Sequence, residues 1–258
     1  MILDFKGTNI HYTDSGKGHA VVLLHGFLES TKIWKRLAPE LSKKHRVICI
    51  DLLGHGQTGC LGYVHTMEQM AEVVEAVLKQ LRIRRSTFIG HSMGGYVALA
   101  FAENNPDNLK GLCLLNSTAS SDSTEKQINR DRTIAAVKKS HETFIRIAIT
   151  NLFRPKNRKL FKDEIKELIN EAKQTPLQGI VAALEGMKIR DNREALLHFT
   201  PFKKMMIAGK KDPVLNYDAL LEEVENSQVK FVEFPDGHMS FIENEGELLH
   251  RIMHFIEK

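Results

Sequence analysis

Residues 86–105 read STFIGHSMGGYVALAFAENN. The first six are short, apolar and β-rich, as in a buried strand, and the segment from Ser92 to Asn105 has the composition of a helix. At the seam stands Gly90-His91-Ser92-Met93-Gly94, which matches G-x-S-x-G. The bare pattern is expected by chance in roughly one chain in ten of this length, so the strand-turn-helix setting carries the weight. A serine on so sharp a turn needs neighbours nearly free of side chains, and its hydroxyl is left exposed. The helix behind it directs N–H groups and a positive dipole end toward the serine.

Outward from this point, strand-like runs alternate with helical periodicity. AVVLLH (20–25), RVICID (46–51) and LKGLCLLN (109–116) are bounded by turn signals. Ile33, Leu37 and Leu41 share a helical stripe, as do Met67, Met70, Val73, Val74, Val77, Leu78 and Leu81. Such alternation implies an α/β fold with a mainly parallel central sheet and helices on both faces. The opening MILDFKGTNIHYTDSG reads as a β-hairpin. After Asn116 the strands stop and three helical patterns follow: Ile134, Val137, Phe144, Ala148 and Leu152; then Phe161, Ile165, Leu168, Ile169 and Ala172; then Leu177, Ile180, Val181, Leu184 and Met187. Alternation resumes with KKMMIAG (203–209), a helix near Tyr217 to Val224, QVKFVEF (228–234), and a last helix beginning near Ser240 with Glu243 completing a capping box. The division expected is a core of residues 1–117 and 200–258 with a helical cap at 118–199.

A serine alone is a weak nucleophile and needs a base oriented by an acid. Asp212, in the turn after KKMMIAG, and His238, after QVKFVEF, supply these at the carboxyl ends of two strands, in the order serine, acid, histidine. Asp236 is the weaker acid candidate because it shares the histidine's tight turn, and Asn116 cannot carry the charge. A developing oxyanion needs two N–H donors, expected from Met93 and from Phe27 in the loop His25-Gly26-Phe27-Leu28. His25 reads as a structural residue fixing that loop. The substrate pocket is expected from Phe27, Trp34, Phe144, Leu152, Met187 and Met239.

HGF, DLLGHGQT, GHSMGGYVALA, AGKKDPV and DGHMSFIE, in that order, resemble the α/β-hydrolase superfamily in its capped esterase and C–C hydrolase branch. The resemblance covers nearly the whole chain and implies acyl transfer to water without a cofactor. Ser92 stands where epoxide hydrolases and haloalkane dehalogenases place aspartate. The HGGPG loop of proline iminopeptidases and the HGGG of a lipase class are absent. Met239 replaces the tryptophan that typically follows the histidine in ring-cleavage C–C hydrolases. Esters of small to medium acyl chains are the expected substrates. Thioesters, C–C bonds or slow turnover by a ligand receptor remain alternatives on the same three residues.

Other signals bound this reading. Gly54-His55-Gly56-Gln57-Thr58-Gly59 matches a dinucleotide fingerprint, but the stretch opens no helix and Asp51 precedes it instead of following. His250 and His254, four apart, lack the glutamate and third ligand of a metal site, so no metal is expected. With 42% hydrophobic and 26% charged residues the 258-residue chain has an ordinary globular composition, and its net charge of +4 does not argue for nucleic acid. Residues 126–173 nevertheless hold thirteen Lys and Arg against six Asp and Glu. That excess suits a solvated helix face or an attraction for anionic substrates. Three cysteines without ligand spacing, no secretory leader and no membrane-length apolar run lead to the expectation of a cytoplasmic protein acting on a small molecule. Oligomeric state is not legible.

Overall fold

The computed structural model describes all residues, Met1 to Lys258. Eight strands form one sheet in the order β1-β2-β4-β3-β5-β6-β7-β8. They are β1 (Ile2–Phe5), β2 (Thr8–Ser15), β3 (Ala20–Leu24), β4 (Arg46–Ile50), β5 (Ser86–His91), β6 (Leu109–Leu115), β7 (Lys203–Gly209) and β8 (Lys230–Phe234). Every pairing from β4 to β8 is parallel, and only β1–β2 and β2–β4 are antiparallel. The first pair is the expected hairpin: Lys6 and Gly7 both take positive φ, the backbone a two-residue turn needs to follow the strand twist. Central strands β3 and β5 are buried at every position, and β3 accordingly reads as an unbroken apolar run, whereas β2, between edge strand β1 and β4, alternates buried and open residues along most of its length.

Between the strands lie α1 (Leu37–Ser42), α2 (Met67–Gln80) and α3 (Met93–Asn104), and after β7 come α9 (Tyr217–Val224), α10 (Ser240–Glu243) and α11 (Glu245–Glu257). The stripe Met67 to Leu78 is buried in α2, whose start is held by a capping box between Thr66 and Gln69. Helix α3 is buried on nearly all sides, wedged against α2, β3, β5 and β6. The stripe Ile33, Leu37, Leu41 is shared between a 3₁₀ turn, Thr31–Trp34, and the short α1, so the sequence's single helix is two pieces.

Between β6 and β7 the chain leaves the sheet for five helices: α4 (Thr124–Lys139), α5 (His141–Leu152), α6 (Lys162–Ala172), α7 (Leu177–Lys188) and α8 (Ala195–Phe199). The first of the three expected patterns is split, because Ser140 adopts φ −155, ψ 81 and starts a new helix. This insertion is seated tightly on the core. Gly186 of α7 lies so close to His65 that a methyl group there would stand 1.7 Å from the His65 carbonyl oxygen, and the His65 N–H donates to Ala182 O at 2.9 Å. Leu152 O accepts the N–H of His238 at 2.9 Å.

The expected capping box at Ser240 does not form. Met239 is the N-cap of α10 and makes no side-chain cap bond. Glu243 turns instead to the N–H groups of Arg154 (3.0 Å) and Gly237 (3.1 Å) and to Asn157 Nδ2 (2.9 Å), tying the insertion to the loop that carries His238. Two unsatisfied loop donors compete better for that carboxylate than its own helix end does. No helix is long and apolar enough to cross a membrane.

Candidate active site

Ser92 joins β5 to α3 with φ 48 and ψ −115, a left-handed conformation costly for a side-chain-bearing residue. The turn is held by its own backbone and neighbours: Ser92 N–H donates to Leu115 O (3.0 Å), and Ser92 O accepts from Gly95 N (2.9 Å) and Ser117 Oγ (2.8 Å). The glycines are required by close approach. A methyl group at Gly90 would meet Gly94 O at 2.4 Å, and one at Gly94 would meet Leu24 O at 2.3 Å.

Asp212 and His238 come together from the ends of β7 and β8. His238 Nδ1–H donates to Asp212 Oδ2 at 2.7 Å, with both side chains nearly inaccessible to solvent. The carboxylate is saturated with donors. Oδ2 also accepts from Asn116 Nδ2 (3.2 Å), and Oδ1 accepts from the N–H groups of Val214 (2.8 Å) and Leu215 (3.1 Å). Burial opposes the charge, but His238 and these N–H groups outweigh it and hold the Asp212 pKa below the ordinary carboxylate value. With Nδ1 donating, the neutral ring keeps its lone pair on Nε2. Asn116, set aside as an acid, is a donor to the acid and to Gly237 O (3.3 Å). Asp236 does not reach the histidine; it is engaged by Arg154 (3.0 Å), Asn157 (2.9 Å) and Asn244 (2.9 Å).

His25 is fully buried, bonding Gly26 O through Nδ1 (2.7 Å) and accepting Leu52 N–H at Nε2 (2.9 Å), which fixes the loop bearing Phe27. The Phe27 N–H has no hydrogen-bond partner within the protein. Met93 is the first residue of α3, where an N–H has no intrahelical acceptor. Loop 54–59 is pinned by Asp51, which accepts from Gln57 N (3.0 Å) and Thr31 N (2.7 Å) and pairs with His11 Nδ1 (2.8 Å).

Two residues missed by sequence reasoning tie the site together. Glu29 Oε2 accepts from Gly26 N (2.6 Å) and from His91 Nδ1–H (2.9 Å), and His91 Nε2–H donates to His238 O (3.0 Å). Two acceptors on one ring require a doubly protonated imidazole. Burial works against both charges, yet each partner's charge and hydrogen bond prevail: the Glu29 pKa is lowered and the His91 pKa raised. One buried ion pair thus links the Phe27 loop, the serine turn and the histidine loop. The signal was present, since His91 occupies the variable place in G-x-S-x-G and Glu29 lies three residues after Gly26.

Ser92 and His238 open on one cavity of about 240 Å³. Of the residues named from the sequence, Phe27, Phe144, Leu152 and Met187 line it, together with Tyr96 and Arg130. Trp34 and Met239 do not. Trp34 is 1% exposed and packs on Phe241, ring centroids 6.2 Å apart, because the 3₁₀ turn directs it into the core. Met239 is 0% exposed, since α10 begins at the next residue and carries its side chain inward. His250 and His254 stack at 6.5 Å on α11, and nowhere does the structure gather three or more His, Cys, Asp or Glu side chains that could hold a metal. A serine hydroxyl and a free imidazole lone pair facing one apolar cavity, with an unengaged N–H nearby, can support proton transfer from the serine and hydrogen bonding to a developing oxyanion.

A family model described as the alpha/beta hydrolase fold matches residues 19–245. The chain belongs to that family. A thermophilic esterase from Thermogutta terrifontis superimposes with a TM-score of 0.92 at 29% identity, covering 99% of this chain and 96% of that one. The enol-lactonase from Burkholderia xenovorans LB400 gives 0.92 at 21% identity over the full length of both, a likeness of fold. A putative non-heme haloperoxidase of Mycobacterium phage D29 is 34% identical over 114 residues, 44% of this chain and 41% of that relative, so less than half of the relative's length is spanned. This α/β-hydrolase chain therefore has the fold and family of hydrolases.

Proposed function

We propose that this α/β-hydrolase is a serine hydrolase that cleaves carboxylic esters of small to medium acyl chains through an acyl-enzyme on Ser92. The observation that carries the reading is that His238, held by the donor-saturated Asp212, opens with Ser92 on one largely apolar cavity. As the Ser92 oxygen bonds to the ester carbonyl carbon, its proton passes to His238 Nε2. The carbonyl oxygen becomes an oxyanion and accepts hydrogen bonds from the Phe27 and Met93 N–H groups. Collapse breaks the bond to the alcohol, which leaves with the proton from Nε2. Water then repeats the sequence, releasing the acid and restoring Ser92. Asp212 holds the Nδ1–H tautomer and stabilises the transient imidazolium.

The insertion at 118–199 acts as the cap, supplying Phe144, Leu152 and Met187 to the cavity wall. The esterase of Thermogutta terrifontis, similar over nearly the whole chain, supports ester cleavage over other uses of the fold. The test is turnover of p-nitrophenyl butyrate by the wild type and by Ser92→Ala. The variant is expected to fold normally and to lose several orders of magnitude in kcat. Comparable rates in the two would remove Ser92 from the chemistry.

A further inference from the structure

Beside the reaction cavity lies a second hollow of about 200 Å³, and the two share Tyr96, Arg130, Thr133 and Val214. Its charged lining is one-sided. Lys126 and Arg130, four apart on α4, stand on one face of that helix. The hollow's one acid, Asp122, is 1% exposed at its side chain and is already gripped by two arginines: Arg130, through Nε, and Arg190, whose Nη1 lies 2.6 Å away. Arg190 is itself buried, donates to Ser120 O and Met187 O, and stacks 4.1 Å above the Tyr96 ring. One carboxylate cannot neutralise two guanidinium groups. Arg130 Nη1 has no hydrogen-bond partner, and Lys126 has no ion pair. In the reaction cavity, the one carboxylate, Glu29, is matched by His91. A substrate reaching from one hollow into the other meets uncompensated positive charge and no free anion.

We propose that this hollow is a carboxylate subsite, and that the preferred substrates are esters or lactones whose acyl arm ends in a carboxylate. The inference rests on the Ser92 reading. With the carbonyl at Ser92, the arm crosses the apolar wall beneath Tyr96 and its terminal carboxylate bonds Arg130 Nη1, with Lys126 adding charge at the open rim. Arg130 is a specificity residue that keeps its position through Asp122. Its removal leaves Asp122 paired with Arg190, so the site does not acquire an orphaned buried acid.

The experiment compares p-nitrophenyl hemi-adipate with p-nitrophenyl hexanoate, arms of equal carbon count. The charged arm is expected to be preferred in kcat/KM by about tenfold or more at low salt, the scale of a hydrogen bond to a charged group. High salt should reduce the preference, as for a partly exposed site. Arg130→Gln and Lys126→Gln should each lower the ratio, whereas Lys139→Gln, an equal change of charge on the exposed end of the same helix, should leave it alone. Lys126 is exposed, so its variant keeps the test valid if Arg130→Gln folds poorly. Equal or inverted preference across hemi-esters of glutarate, adipate and pimelate overturns the subsite, as does an unchanged ratio in both variants. If hexanoate is hydrolysed in a Ser92-dependent way while those results appear, the subsite alone fails. If neither ester is turned over, the hydrolase reading fails and the subsite falls with it.

Discussion

Two aspartates compete for one histidine, and partners decide between them. Asp212 meets four donors, His238 among them, while Asp236 spends its oxygens on Arg154, Asn157 and Asn244. Asp212→Asn is expected to cost on the order of 10⁴ in kcat at neutral pH, because an amide favours the wrong tautomer of His238. Asp236→Asn should cost less than about tenfold; steady-state kinetics of the pair checks both. The Glu29–His91 pair makes a different prediction. Glu29→Ala strands a buried imidazole and the Gly26 N–H, and should lose about 3–5 kcal/mol of stability. Glu29→Gln can keep the Gly26 N–H bonded and leave a neutral His91 with one of its two hydrogen bonds, and should recover part of that loss. His91 has its folded pKa raised, so its contribution is present below its ordinary 6.5 and is lost as pH rises through the raised value. Glu29 has its folded pKa lowered, so its contribution is present above its ordinary 4.5 and is lost as pH falls through the lowered value. The gap in Tm between wild type and Glu29→Ala should thus be widest between those limits. A gap constant from about pH 4 to 9 would show that the pair is uncharged. Ser92, Asp212 and His238 were legible because each follows a strand in a fixed order. Glu29 and His91 were not, since their meaning lies in a contact across 62 residues.

At the scale of elements, legibility follows burial. Strand β5 is recognisable because both its faces are covered, so that small or apolar residues fill it up to His91, whose buried ring is bonded on both sides. Helix α2 reads clearly because one stripe is buried and the rest is wet. Breaks are harder. Ser140 interrupts α4 and α5 without proline or glycine, and the periodicity on either side continues as though one helix ran through. Glu243 fits a capping pattern locally, but its carboxylate goes to loops brought near only by folding. Close helix–loop approach carries a prediction of its own. Gly186→Ala forces a methyl group into the His65 carbonyl, backbone against backbone, and should cost about 1–3 kcal/mol or more. A Tm fall accompanied by faster amide exchange in α7 checks it; unchanged exchange there would mean that α7 does not depend on this contact.

Across the whole molecule, the sheet brings Ser92, Asp212 and His238 to one edge, and the insertion closes over them. Its hold is direct: Leu152 O bonds the His238 N–H, and Arg154 is tied to Asp236 and Glu243. The cavity beneath, about 240 Å³, bounds what fits. Each buried methylene of a neutral acyl chain adds at most about 0.8 kcal/mol until that volume is full. Across p-nitrophenyl esters from acetate to palmitate, kcat/KM should climb over the first few carbons and then fall steeply; a rate still rising at long chains would indicate an open groove. The proposed hydrolysis depends on one atom, the Ser92 oxygen, acting as nucleophile. Its most direct test is reaction of the wild-type protein with a fluorophosphonate probe, followed by peptide mass spectrometry to locate the adduct. A single phosphonyl adduct on Ser92, abolished in Ser92→Ala, is the predicted result; an adduct on another residue, or no labelling of the folded protein, would contradict it.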